Sequence, residues 1–233
     1  MEYDARGPLL EVLLLIGGKC SRTGAPKELL RLPDGRLAFE NALETLHSAV
    51  PSASTIHLSF HNETQFKDFE SPLKEFAFRI RVAEDAAQDE HDHHRQAFPE
   101  LKPIFDHQEE DIGPAAGLLA AHSLYPDAKW LALSCDYPLL PPPALQQLIL
   151  EYQSPITCFV SESGRAETLI AIWDSEALKK LKESVNDGRY ELNGIVEVVK
   201  GRLIRPLREQ WITCADSREK WDQAMEILES RRG

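Results

Sequence analysis

Two rhythms of apolar and polar positions alternate along this chain. Val12–Ile16 is an unbroken run of five apolar residues closed by Gly17 and Gly18. Such a run predicts a strand buried on both faces, as in a parallel sheet. Ala38–Val50 follows a helical rhythm that Pro51 stops, Thr55–Phe60 reads as a short strand, and Glu63–Phe69 as a short helix. Phe76–Val82 alternates in twos, which predicts another strand. Pro114–Leu124 is a helix rich in alanine and leucine, and Lys129–Ser134 is a buried strand ending at Cys135-Asp136. The Pro141–Pro143 run suits the first turn of a helix reaching Tyr152, because a first-turn N–H has no helical partner to lose. Ile156–Val160 and Thr168–Trp173 are predicted strands, and Glu176–Glu183 and Glu191–Val199 predicted helices. Leu203–Leu207 is predicted as an edge strand. Ser217–Arg231 closes the chain as a helix with Ser217 as its N-cap.

Strands alternating with helices predict a three-layer α/β sandwich with a mostly parallel, Rossmann-like nucleotide-binding sheet. With neither repeat nor linker in view, residues 1–233 are expected to form one domain. Ala83–Glu100 breaks the rhythm: it is acidic and carries His91, His93 and His94. It reads as an exposed insertion with solvated charges, and the alternative is a metal site, since Asp and His are ligand types.

Composition narrows the function classes. The formal net charge is −12 over 233 residues, without a long basic stripe, which argues against nucleic acid as a partner. A small polyanion stays admissible, because a local cationic patch can act against the global field. No apolar run approaches the roughly 20 residues of a membrane span, and the first ten residues lack a signal-peptide pattern. The four cysteines are far apart with no C-x-x-C pair, which suits a reducing compartment. A cytoplasmic location and no membrane partner are the expectations.

The cationic patch follows the first strand. Gly17-Gly18-Lys19-Cys20-Ser21-Arg22-Thr23-Gly24-Ala25-Pro26-Lys27-Glu28-Leu29-Leu30 sets Lys19, Arg22 and Lys27 within nine residues. Two glycines let the chain turn and let a ligand approach the main chain. Free amides beside cations bind anions, polyphosphates best. The segment matches neither the Walker pattern nor G-x-G-x-x-G. A second candidate is Asp136, a carboxylate where a buried strand ends before Pro138. That edge of an open α/β sheet is where ligands bind, and a carboxylate there can hold Mg²⁺ or cap the next turn. A third is Gly113-Pro114-Ala115-Ala116-Gly117, a small-residue helix entry that admits a flat ligand such as a base. On the residues alone, Asp106 and the acidic run after it read as a solvated loop.

The pattern Gly-Gly-x-x-Ser-Arg-x-Gly-x-x-Lys-x-Leu-Leu, followed by Gly-Pro-x-x-Gly-Leu and Cys-Asp-x-Pro, resembles the molybdenum cofactor guanylyltransferases. It departs from their usual first motif at Ile16 and Thr23. The resemblance implies a nucleotide-diphospho-sugar transferase-like fold and a reaction in which GMP passes from GTP to the terminal phosphate of a molybdopterin-type acceptor, releasing pyrophosphate. It assigns Arg22, Lys27 and Asp136 to catalysis, with Asp136 as the Mg²⁺ ligand. It assigns the nucleotide to Leu15, Ile16, Gly17, Gly18, Lys27, Ser59, Asp106, Gly113, Pro114 and Gly117; Asp106 matches the family's nucleotide-contacting aspartate by lying seven residues before Gly113, with Asp85 as its rival. Ser59 stands where the family has an asparagine. The match thins after about residue 140: Glu167-Thr168-Leu169 resembles a Glu/His-Pro-Leu segment, and Ile212–Ser217 lacks the family's Asn-Val-Asn. Nucleotidyl transfer to another phosphorylated acceptor such as a sugar phosphate, and a non-catalytic nucleotide-binding protein, remain the alternatives. Arg189 stands either near an acceptor phosphate or on a surface turn.

Overall fold

The computed structural model describes residues 9–16, 26–89, 97–106 and 111–232. Among them, seven strands form one sheet: β1 (Glu11–Leu15), β2 (Thr55–Phe60), β3 (Glu100–Phe105), β4 (Trp130–Ser134), β5 (Ile156–Val160), β6 (Ala166–Trp173) and β7 (Arg202–Ile204). Their order is β3-β2-β1-β4-β6-β5-β7. Pairing is parallel from β3 through β4 and between β5 and β7, and only β6 runs against its two neighbours. The seven α-helices among the described residues are α1 (Ala38–Ala49), α2 (Glu63–Asp89), α3 (Pro114–Leu124), α4 (Pro142–Leu150), α5 (Ser175–Asn186), α6 (Leu192–Val198) and α7 (Arg218–Ser230), with 3₁₀ turns at Lys27–Leu29 and Glu209–Ile212.

The run in β1 is buried on both faces because the sheet is covered on both. Val12 and Leu14 pack with α1, α2, α4 and α7, whereas Leu13 and Leu15 pack with α3, α5 and α6. Side chains alternate across a strand, so this one segment feeds two cores. In β4, Trp130 faces the second core and pairs in register with Trp173 of β6; both indoles are fully buried. Trp173 Nε1 donates to the Thr168 carbonyl at 3.1 Å.

Two expectations need correction, and a third point is a strand that the chain does not announce. Phe76–Val82 is not a strand: the helix begun at Glu63 runs on through it to Asp89. Phe66, Phe69, Leu73, Phe76 and Ile80 recur at helical spacing and face the first core, while Phe78 is 67 % exposed. The alternation of Phe76–Val82 satisfies both periods, and edge contacts of Phe39 with Phe69 and Phe76 (ring centroids 4.7 and 5.8 Å) decide for the helix. That packing also carries Pro72 inside the helix, where it removes one backbone hydrogen bond. Second, residues 83–89 of the expected insertion are the last turns of α2, and Glu100 already belongs to β3; the histidines 91, 93 and 94 lie outside the described residues. Third, β3 itself has no apolar rhythm, because it is an edge strand with Lys102 and Pro103 on it.

Elsewhere the caps follow the chemistry read from the chain. Ser217 Oγ accepts from Lys220 N at the start of α7, Asp174 caps α5, and prolines open α4. Buried Glu40 of α1 is paired with Arg79 of α2 and accepts from Leu37 N at 2.9 Å. Among the described residues no helix is long and apolar enough to cross a membrane.

Candidate functional site

The sheet reverses its order of growth between β1 and β4, and the carboxyl ends of β1, β2, β3 and β4 meet at one edge. Ligands of open α/β sheets bind at that place, because loops diverging to either side leave a crevice. Here the crevice is a cavity of about 530 Å³, lined by Leu15, Ile16, Ser59, Asp106, Gly113, Pro114, Gly117 and Asp136, together with His61, Gln65, Asp111, Ser134 and Leu169. The volume lies in the range of small-molecule sites. Gly17, Gly18, Lys19, Cys20 and Arg22 lie outside the described residues. Asp85 sits on the exposed face of α2, away from this lining.

Lys27 enters from the 3₁₀ turn. Its Nζ donates to Asp136 Oδ2 at 3.0 Å, with both side chains less than a fifth exposed. The two residues are 109 positions apart, joined because β1 and β4 are neighbours. Burial pushes the Asp136 carboxyl above the usual carboxylate range; Lys27 opposes that, and Asp216 adds to it. Glu28 beside it is only 6 % exposed and is pushed up by burial, a shift countered by its own backbone N–H and the Gln65 side chain.

The wall between β2 and α3 is held by close packing. A Cβ at Gly117 would lie 2.3 Å from Ser59 Oγ and 2.8 Å from Leu15 Cδ2, so this glycine sets how near α3 approaches the sheet. Gly113 differs: nothing lies within 4 Å of the place its Cβ would take, and its φ of +61° is what requires glycine. Its N–H donates to Asp111 Oδ1 at 3.2 Å. Asp106 ends β3, its N–H donating to the Phe60 carbonyl at 3.1 Å and its Oδ2 lying 3.6 Å from His61 Nδ1.

Toward β6 the cavity is lined by Ser134, Asp136 and Leu169, and the elements next to them are joined by their own polar groups. Buried Tyr137 donates its hydroxyl to Glu167 Oε2 at 2.8 Å. Ala215 N donates to the Asp136 carbonyl at 2.8 Å, which fixes residues 212–217 to the loop carrying Asp136. Lys220 Nζ donates to Asp216 Oδ1 at 2.7 Å. Cys214, mainly through burial and then through Asp136, Asp216 and Glu167, is pushed up to about 11, so it is a thiol at neutral pH. Arg189 is exposed and paired with Asp187 at 2.9 Å on its turn, outside the cavity lining.

Among the described residues no three His, Cys, Asp or Glu side chains are grouped to hold a metal. The donor set suits a cation that takes one or two protein carboxylates and completes its shell with phosphate oxygens and water, the habit of Mg²⁺. Asp136 lines the cavity with a carboxylate that accepts from the Lys27 ammonium. His61, Gln65 and Glu28 were not legible as site residues. The one signal was Asn62-x-x-Gln65, a helix-start pattern that places Gln65 in the first turn after the β2 edge.

Comparisons with known proteins agree with this fold. The model of the MobA-like NTP transferase domain matches residues 12–203. A molybdenum cofactor biosynthesis bifunctional protein of Synechocystis is 27% identical over 100 residues, which is 42% of this chain and 29% of that protein. The chain therefore spans less than a third of that relative in the match. Molybdopterin-guanine dinucleotide biosynthesis protein A from Archaeoglobus fulgidus superposes over 95% of this chain and all of its own, at TM-score 0.68 and 18% identity. UDP-glucose pyrophosphorylase from Acinetobacter baumannii covers 94% of this chain and 93% of its own, at 0.61 and 12%.

Proposed function

The chain belongs to the MobA-like NTP transferase domain family, and we propose that it moves GMP from GTP to the terminal phosphate of a molybdopterin-type acceptor, releasing pyrophosphate. The observation that carries the reading is the Lys27–Asp136 pair at the rim of the cavity, 3.0 Å apart and mostly buried. It puts a cation and a metal-capable carboxylate where phosphates would bind. The Synechocystis and Archaeoglobus proteins, by their names, support the acceptor class.

The acceptor oxygen is already anionic, so the site needs alignment and charge neutralisation rather than a strong base. Lys27 and Arg22 would offset charge on the donor phosphates. Mg²⁺, held by Asp136 when bound, would neutralise the same phosphates. Leu15, Ile16, Ser59, Asp106 and the Gly113–Gly117 segment would hold the base and ribose. Main-chain N–H and C=O groups can pair with a guanine edge and would be left unpaired by another base. Gly117 serves that segment by packing, since its contacts are with Ser59 and Leu15.

Calorimetric titration with GTP, CTP and ATP, with and without Mg²⁺, tests the donor. Preference for GTP that strengthens with Mg²⁺ is the expected result; equal affinity for CTP removes the base assignment. Release of pyrophosphate on mixing Mg·GTP with a molybdopterin-type acceptor tests the reaction. Release only with sugar phosphates would transfer the reading to that acceptor class, and no release with any acceptor tried would favour a binding protein.

A further inference from the structure

β2 and β3 run parallel in one register, from Thr55 beside Glu100 to Phe60 beside Phe105. Carried one residue further, that register sets His61 beside Asp106, and the N–H of Asp106 still donates to the Phe60 carbonyl at 3.1 Å. Partners in register point to the same face of a sheet, and residues two apart on a strand share that face. His61 and Asp106 therefore stand on the side of Ser59 and Ile104, the side covered by α3. Their side chains meet there. His61 Nδ1 lies 3.6 Å from Asp106 Oδ2, with the imidazole more than half exposed and the carboxylate mostly buried. His61 is held from behind, since its N–H donates to Gln65 Oε1 at 2.8 Å and Gln65 N donates to Asn62 Oδ1 at 2.9 Å. Both side chains of the pair line the cavity.

We propose that His61 is a positioning residue for base recognition: it orients the Asp106 carboxylate to accept from the Watson–Crick edge of a guanine. The inference rests on the nucleotide reading above and names the groups that read the base. With phosphates at Lys27 and Asp136 after β4, the end of β3 lies three strand spacings along the sheet edge, roughly 14 Å away. The base of an extended nucleotide comes to lie at that end. Guanine offers two neighbouring donors there, N1–H and the exocyclic NH₂, and a carboxylate takes such a pair with its two oxygens. Adenine and cytosine set a ring-nitrogen acceptor beside their amino group, and that lone pair would face the anion. Asp111, the other carboxylate at this end, accepts from Gly113 N and so serves the turn into α3. At 3.6 Å the contact of His61 with Asp106 is too long for a hydrogen bond and consumes none of the carboxylate's acceptor capacity. A half-exposed pair of this kind adds little to stability, so its value lies in the direction it gives the carboxylate.

Asparagine carries a donor nitrogen at the place of Nδ1, whereas phenylalanine keeps a ring and carries none. His61→Asn and His61→Phe therefore separate the donor from the bulk. The readout is a ratio, the affinity for Mg·GTP over that for Mg·ITP, whose hypoxanthine lacks only the exocyclic amino group. One hydrogen bond to a charged group sets that ratio at about tenfold or more in the wild type. His61→Phe is expected to bring it below about threefold, and His61→Asn to keep it within about twofold of wild type. Asp106→Asn should collapse the ratio as well, and His61→Phe added to it should change the ratio no further, since the two side chains act as a unit. A residue that merely fills space would weaken both nucleotides alike and leave the ratio where it was.

A readout free of nucleotide accompanies this. The ring-nitrogen NMR signals of His61, identified by their loss in His61→Phe, should report a proton on Nδ1 and shift on Asp106→Asn. Signals that ignore that substitution overturn the pair. A GTP-to-ITP ratio near one in the wild type, an unchanged ratio in His61→Phe, or a lost ratio in His61→Asn overturns the inference. So does a change confined to GTP against its 3′-deoxy analogue, which would give the carboxylate to the ribose. Wild-type protein that binds no nucleotide, or binds GTP and CTP equally, overturns the functional reading instead. The ring-nitrogen signals then still decide whether His61 holds Asp106.

Discussion

The two walls of the cavity are built on different terms. On the β1–β3 side the polar groups are tethered by backbone geometry and turned toward the space: Ser59, His61, Gln65, Asp106 and Gly113 all line it. On the β6 side the polar groups are consumed by one another. Tyr137 is bound to Glu167, Lys220 to Asp216, and residues 212–217 are fastened to the Asp136 carbonyl. The open wall coincides with the stretch where the family motifs are strong, and the closed wall with the stretch where they thin. The difference teaches that one wall presents its polar groups to the cavity, while the other spends its own on one another and presents mainly Leu169. Lys27 and Asp136 stand at the seam.

Breaking the seam has the largest expected effect. Asp136→Asn should lower nucleotidyl transfer by roughly 10²–10³-fold, in line with removal of one electrostatic stabiliser from a transferase site. Its melting should stay cooperative, because the amide retains hydrogen-bonding capacity. A variant that melts like wild type and transfers at the wild-type rate would falsify the metal assignment. Lys27→Ala should weaken nucleotide binding by about 1.5–3 kcal/mol, roughly ten- to a hundredfold. Lys19→Ala, at a variable position of the motif, should cost about 0–1 kcal/mol. A reversed order in titration would mean that another cation contacts the phosphates.

Each wall can then be disturbed alone. Gly117→Ala forces a Cβ onto Ser59 Oγ at 2.3 Å and should destabilise the fold by about 1–3 kcal/mol. Adding Ser59→Gly should return much of that loss in a denaturant titration; no recovery would place the strain on Leu15. On the closed wall, Tyr137→Phe leaves Glu167 without its hydroxyl donor and should cost about 1–3 kcal/mol. Affinity for Mg·GTP should stay within about threefold of wild type if the walls are independent. A larger change would erase the distinction between them.

The smallest effect is a dependence of stability on pH. Burial raises Asp136 above its ordinary 3.8 and Glu28 above its ordinary 4.5. A carboxyl raised in the folded state contributes stability below its ordinary value and loses it as pH climbs through the raised one. The nucleotide-free protein should therefore lose a part of its melting temperature across the mildly acidic range, and Asp136→Asn should flatten that slope. An unchanged slope in the variant would assign the titration to other groups.

Much of this fold was legible because buried strands announce themselves. Val12–Ile16, Thr55–Phe60 and Trp130–Ser134 are apolar enough to read directly, and helices opened by Pro114 or Ser217 carry their own start signals. β3 escaped because an edge strand with Lys102 and Pro103 has little apolar rhythm to show. The far half of α2 was misread because Phe76–Val82 fits a period of two and of 3.6 equally, and only partners such as Phe39 decide between them. For the site, Lys27, Asp106, Gly113 and Asp136 stood out through motif spacing. His61 and Gln65 did not, since their place at the cavity depends on how the chain turns from β2 into α2 beside α3, which no motif spacing encodes.

The Trp130–Trp173 pair has a practical consequence. Both indoles are sealed in the core, at the end of β4 remote from Asp136. Four residues of strand at about 3.3 Å each put roughly 13 Å between Trp130 and Ser134 at the rim. Their emission should be blue-shifted in the native protein, move to the red on melting, and be nearly blind to a ligand in the cavity. With Trp211 and Trp221 replaced by phenylalanine, the remaining pair is an optical reporter of the core that does not read the site. In that background, a variant whose tryptophan spectrum is native while its nucleotide titration is lost has been damaged at the site alone.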